Sequence, residues 1–70
     1  MRLNFVADWS RLREGDRVNL YVKGNKLPNW ENVEVNYVDE EGKFIKVWSD
    51  VGGHPRDSLL RKTYEVELLN

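Results

Sequence analysis

His54 is the one imidazole in the chain, and Ser49, Asp50, Asp57 and Ser58 stand close to it in sequence. Hydroxyl, imidazole and carboxylate are the groups of nucleophilic hydrolysis and of proton transfer. They do such work only when a rigid scaffold holds nucleophile, base and orienting acid within hydrogen-bond reach of one another. Here they flank Val51-Gly52-Gly53 in one glycine-rich stretch, so the expectation is an exposed loop histidine and no enzyme activity. Asp39, Glu40 and Glu41 could approach a hard cation, but their spacing is not that of an EF-hand loop, and Gly42 falls where a hairpin turn needs it. Gly52-Gly53 runs into His54-Pro55 rather than the Lys-Ser/Thr of a phosphate loop. One histidine and no cysteine cannot build a zinc or other transition-metal site, and no cofactor is expected.

Binding chemistry is better represented. Arg56, Arg61 and Lys62 form one basic cluster and Arg11, Arg13 and Arg17 another, each interrupted by acids such as Glu14, Asp16 and Asp57. Joined by folding, the two would grip a phosphate backbone, with Tyr21 or Trp48 stacking on a base. Left apart, they are ordinary surface charges. Tyr21, Trp30 and Trp48 are the stronger lead, because exposed Tyr and Trp bury a large area at an interface with little loss of side-chain freedom. The competing outcome is a minor second core beneath the N-terminal segment or the loop of residues 23–29.

Eleven Lys and Arg against twelve Asp and Glu leave a net charge of −1. That is not the basic excess that drives sequence-independent binding to nucleic acid, so any such binding needs a local patch. Seventy residues, 40% of them hydrophobic, suffice for one core and no second lobe. The expected organisation is a single domain over 1–70, with 1–11 as an N-terminal strand or arm and 12–70 as the folded body. The lack of cysteine fits a reducing compartment, with the cytosol as default. No apolar run reaches the roughly 18 residues of a membrane span, and the start lacks the pattern of a signal peptide. Oligomeric state is open.

The elements that must position these groups read as strands, because alternation recurs in short pieces between turn residues. Leu3, Phe5, Ala7 and Trp9 alternate with Arg2, Asn4 and Asp8, Val6 being the exception, and predict an opening strand. Gly15-Asp16 is turn chemistry. After it Val18, Leu20 and Val22 share one face and Arg17, Asn19 and Tyr21 the other. Residues 23–29 predict an open loop, and 31–38 a strand with Val33, Val35 and Tyr37 on one side. Asp39 to Gly42 closes a hairpin onto residues 43–48. There Lys46 lies between Phe44 and Trp48, and burying an unpaired ammonium costs several kcal/mol, so Ile45 and Val47 face the core and the two rings face out. Residues 57–62 suit either a short strand, which is preferred, or a capped helical turn. Tyr64, Val66 and Leu68 point inward from a closing strand. The prediction is all-β, with five or six short antiparallel strands.

Leu12-Arg13-Glu14-Gly15-Asp16-Arg17-Val18 resembles the opening of SH3-like barrels of the KOW and Tudor kind, in which a hydrophobe, a tight turn and Gly-Asp-x-Val begin the first barrel strand. Val35 to Asp50, with its acidic Gly-Lys hairpin and Val47-Trp48-Ser49-Asp50, is similar to the second and third strands of those barrels. The resemblance covers roughly residues 12–69. It implies a non-enzymatic module that binds RNA, ribosomes, methylated peptides or larger protein complexes. A Tudor-type cage for methyl-lysine would draw on Trp30, Tyr37 and Trp48 with Asp50, since ring faces hold a cation. A protein-docking module or accessory subunit is the expected function, and a KOW-like nucleic-acid binder the alternative.

Overall fold

The computed structural model describes residues 4–48 and 58–69. Its strands are β1 (Arg17–Val22), β2 (Trp30–Val38), β3 (Phe44–Trp48), β4 (Leu59–Leu60) and β5 (Tyr64–Leu68). All pairings are antiparallel, in one sheet of order β4-β3-β2-β1-β5. The all-β expectation holds, and the five-stranded sheet is compatible with an SH3-like barrel. Of residues 57–62, Leu59–Leu60 form a strand, a very short one that gives way to a turn over 61–63, and Asp57 lies outside the described residues.

Alternation explains which side of each strand is dry. Val18 and Leu20 of β1, Val33 and Val35 of β2, Ile45 and Val47 of β3, Leu59 of β4 and Val66 of β5 are all buried in one core. Tyr64 and Leu68 pack partly buried against it. Gly15 at φ +96° and Gly42 at φ +72° make the turns foreseen for them. Asp16 Oδ2 accepts from the Arg13 N–H at 2.9 Å, and Asp39 Oδ2 accepts from the Lys43 N–H at 3.1 Å.

Two predicted placements are corrected. Tyr37 does not continue the inward side of β2: the pairing slips after Val35, from Val35↔Val47 to Tyr37↔Lys46. A bulge inserts one residue and reverses the facing of everything beyond it. Val38 therefore packs against the core, and Tyr37 is 44% exposed. The opening segment, as far as it is described from Asn4 on, is not a strand of its own either. Phe5 makes a single bridge to Glu67, and the chain then winds into a 3-10 turn over Trp9–Arg11. Asp8 begins that turn, its carboxylate accepting from the Ser10 N–H at 3.1 Å. An acceptor side chain at the first position satisfies a backbone donor that a strand would have paired elsewhere. Trp9 thereby enters the core at 1% exposure, as the largest fully buried side chain.

The face assignment of β3 yields a paired test. Val47 is 2% exposed and its neighbour Trp48 is 49% exposed. Val47→Ala is expected to lower stability by roughly 1 to 3 kcal/mol through lost burial and an unfilled cavity. Trp48→Ala should stay within about 1 kcal/mol of the parent, as surface substitutions do. Denaturant melts of both variants decide it, and a reversed order would place Lys46 inside.

Candidate interaction surface

The outer face of the sheet is divided into two unlike halves. Over β5, β1 and β2 it is a polar lattice. Asn32 of β2 has φ +50°, a left-handed conformation that asparagine tolerates better than most residues. It is held there from both sides: Arg17 Nη2 donates to its carbonyl at 2.7 Å, and its own N–H donates to Asn19 Oδ1 at 2.8 Å. Arg17 also faces Glu34 at 3.7 Å. Tyr21 belongs to this half. Its hydroxyl donates to Glu67 Oε1 at 2.7 Å, and its ring lies 5.2 Å from that of Phe5.

Over β2, β3 and β4 the outer face is apolar and aromatic. Phe44 stands directly opposite Leu60 across the β3–β4 ladder. The Tyr37 ring stacks on Phe44 with centroids 5.7 Å apart, and Lys46 Nζ lies 5.9 Å from the Tyr37 ring centre. Tyr37, Leu60 and Trp48 are each more than a third exposed. At the edge of this half, Lys43, Arg61 and Lys62 surround Leu60 and line with it a depression of about 270 Å³. Lys43 faces Glu41 at 3.3 Å, whereas Lys46, Arg61 and Lys62 make no ion pair with any described residue.

Arg61 also borders a second hollow of about 250 Å³, on the other side of the β4–β5 turn, where Lys23, Trp9 and Tyr64 are among its neighbours. Nearby, the Asp8 carboxyl is held below the ordinary aspartate value of 3.8. The chief cause is the Ser10 hydroxyl that donates to it, followed by the Ser10 N–H, with smaller contributions from the charges of Arg11 and Arg61. Because the folded value is the lower one, Asp8 adds its stabilisation in full above the usual aspartate range, and loses it as the pH falls from there through the folded value. In an NMR titration Ser10→Ala should bring Asp8 back toward its ordinary value, and Arg61→Gln should do so to a lesser degree. An unchanged Asp8 in Ser10→Ala would show that the Ser10 hydroxyl is not the chief cause.

The sites foreseen in the sequence are thus redistributed. Tyr21, Trp30 and Trp48 do not form one patch. Tyr21 is half-buried in the polar lattice, and Trp30 packs against the core with its ring 5.5 Å from Tyr64. Trp48 alone of the three is exposed on the apolar half. Tyr37 accompanies it on that face, but Trp30 does not, and Asp50 lies outside the described residues. Of the possible phosphate contacts, Arg61 and Lys62 come together beside Lys43, while Arg56 lies outside the described residues, as do His54, Ser49, Asp50 and Asp57; Ser58 is described and exposed. The two basic clusters are not seen to join: Arg11 and Arg61 are related only in that the charges of both act on Asp8, and Arg17 is bound to Asn32 and Glu34 instead.

Leu60 and Lys43 were missed as site residues. Phe44 was already legible as outward-facing, from Lys46 two positions away. Nothing local shows that Leu60 will be laid beside it, since that depends on the β3–β4 register. Among the described residues no group of three or more His, Cys, Asp or Glu could hold a metal ion, and no helix is long and apolar enough to cross a membrane. Compared with protein-family models, with curated proteins and with solved structures, the chain matches none.

Proposed function

We propose that this chain is a small, non-enzymatic binding module or accessory subunit of the cytosol, which docks a protein partner through the outer face of β2, β3 and β4. The observation that carries the reading is the contiguous set of exposed Tyr37, half-buried Phe44 and exposed Leu60, with exposed Trp48 farther along the same face. Aromatic anchors grouped on one face of a rigid sheet are the usual energetic centre of a protein interface. The SH3-like, KOW- or Tudor-like resemblance agrees, since barrels of that kind serve as docking modules. A nucleic-acid-associated, KOW-like role is the second reading, favoured by the convergence of Lys43, Arg61 and Lys62 around one depression.

The test is a pull-down from the native cell at moderate salt, run in parallel with the parent chain and with Tyr37→Ser/Leu60→Ser. Partner proteins held by the parent and lost by the variant support docking through this face. Equal recovery by both forms overturns the surface. Retention of RNA or DNA that falls steeply with salt favours the second reading instead.

A further inference from the structure

We infer that the segment docked on this face is an acidic one: a short extended stretch of protein in which carboxylates flank a single apolar side chain. The inference rests on the docking reading above and names the chemistry of its partner. The apolar side chain would lie against Leu60 and Phe44, which face each other across the β3–β4 ladder. Around that contact stand Lys43, Lys46, Arg61 and Lys62, and three of these four cations make no ion pair with any described residue. In a protein of net charge −1, that concentration of positive charge beside exposed apolar surface is a local feature of this face.

The same charge balance argues for a short acidic segment over a polyanion. With no overall positive charge, the chain has no long-range field to draw in a phosphate backbone, and beyond about one Debye length, roughly 8 Å, only the local cations act. Asp39, Glu40 and Glu41 border the patch at the β2–β3 turn, where a continuing nucleic-acid strand would meet them. A peptide needs only a few carboxylates spaced to reach Lys43, Arg61 and Lys62. β4 suits an extended ligand as well, because among the described residues it ends the sheet and pairs with β3 alone.

A display library of random twelve-residue peptides, selected on the full chain at moderate salt, tests this. The expected binders are enriched in Asp and Glu around one aliphatic or aromatic position. Their affinity should fall at least tenfold in Lys43→Glu/Lys62→Glu and also in Leu60→Ser, with both variants confirmed as folded by their melts. Binders without acidic enrichment that lose affinity in Leu60→Ser alone would overturn the acidic partner and leave the docking face standing. Binders indifferent to every substitution, or no binders at all, would overturn both. Displacement of the selected peptides by an oligothymidylate of equal charge, at equal or lower concentration, would overturn the inference in favour of a nucleic-acid ligand.

Discussion

Trp9→Ala is expected to leave a large fraction of the chain unfolded at 25 °C. The indole is 1% exposed and sits in the same core as Val18, Leu20, Ile45 and Val66. Removing a fully buried aromatic ring costs about 3 to 5 kcal/mol, from lost transfer free energy and the cavity left behind. The total stability of a domain this size is of similar magnitude, since small proteins have roughly 0.05 to 0.15 kcal/mol per residue in hand. Far-ultraviolet circular dichroism and a denaturant melt read the outcome, with Trp48→Ala as the internal control. A Trp9→Ala protein melting at the parent midpoint would show that the 3-10 turn is an appendage and not a wall of the core.

The second large effect is expected at Gly42. Its φ of +72° already disfavours any other residue, and a Cβ added there would lie 2.7 Å from the backbone nitrogen of Ser10 and 3.3 Å from the carbonyl carbon of Trp9. The left-handed conformation costs an alanine roughly 1 to 2 kcal/mol, and forcing two backbone segments apart costs about 1 to 3 more. Gly42→Ala should therefore destabilise by about 2 to 5 kcal/mol. Gly24 has a positive φ as well, but nothing lies within 4 Å of its added Cβ, so Gly24→Ala should lose only the conformational part. Equal losses at the two glycines would mean that the 3-10 turn does not rest on the β2–β3 turn.

Trp9, and the contact of Gly42 with the turn that carries it, also mark where the sequence stopped being legible. The faces of β1 and β3 follow from side chains alternating along a single strand, and a buried Lys46 would have been costly enough to settle β3 by itself. The phase of β2 beyond Val35 was not available in this way, because a bulge is fixed by the partner strand and leaves the hydrophobic pattern almost unchanged. Trp9 was misplaced because Leu3, Phe5, Ala7 and Trp9 do alternate; the contrary signal was local, in Asp8 and Ser10, whose capping bond competes with an extended chain. The candidate surface was half legible. Alternation put Trp48 and Tyr21 outside their strands, but it could not show that Phe5 and Glu67 would engage Tyr21. It also could not show that Lys43, Arg61 and Lys62, from two separate turns, would gather about Leu60.

The place of β5 in the sheet has a consequence for how the chain reaches this state. Its partner is β1, with Val18 opposite Leu68 and Val22 opposite Tyr64, so this ladder joins residues more than forty positions apart. Closing so long a loop costs entropy before any contact repays it, and chains dominated by distant pairings fold slowly, on the order of milliseconds to seconds. On the ribosome β1 therefore waits. Its β5 side stays open while β2, β3 and β4 are being synthesised, and it is covered only after residues 64–68 have left the exit tunnel. Until then the nascent chain carries an unpaired strand edge that chaperones or neighbouring chains can reach once β1 has emerged, and over that interval misassembly competes with folding.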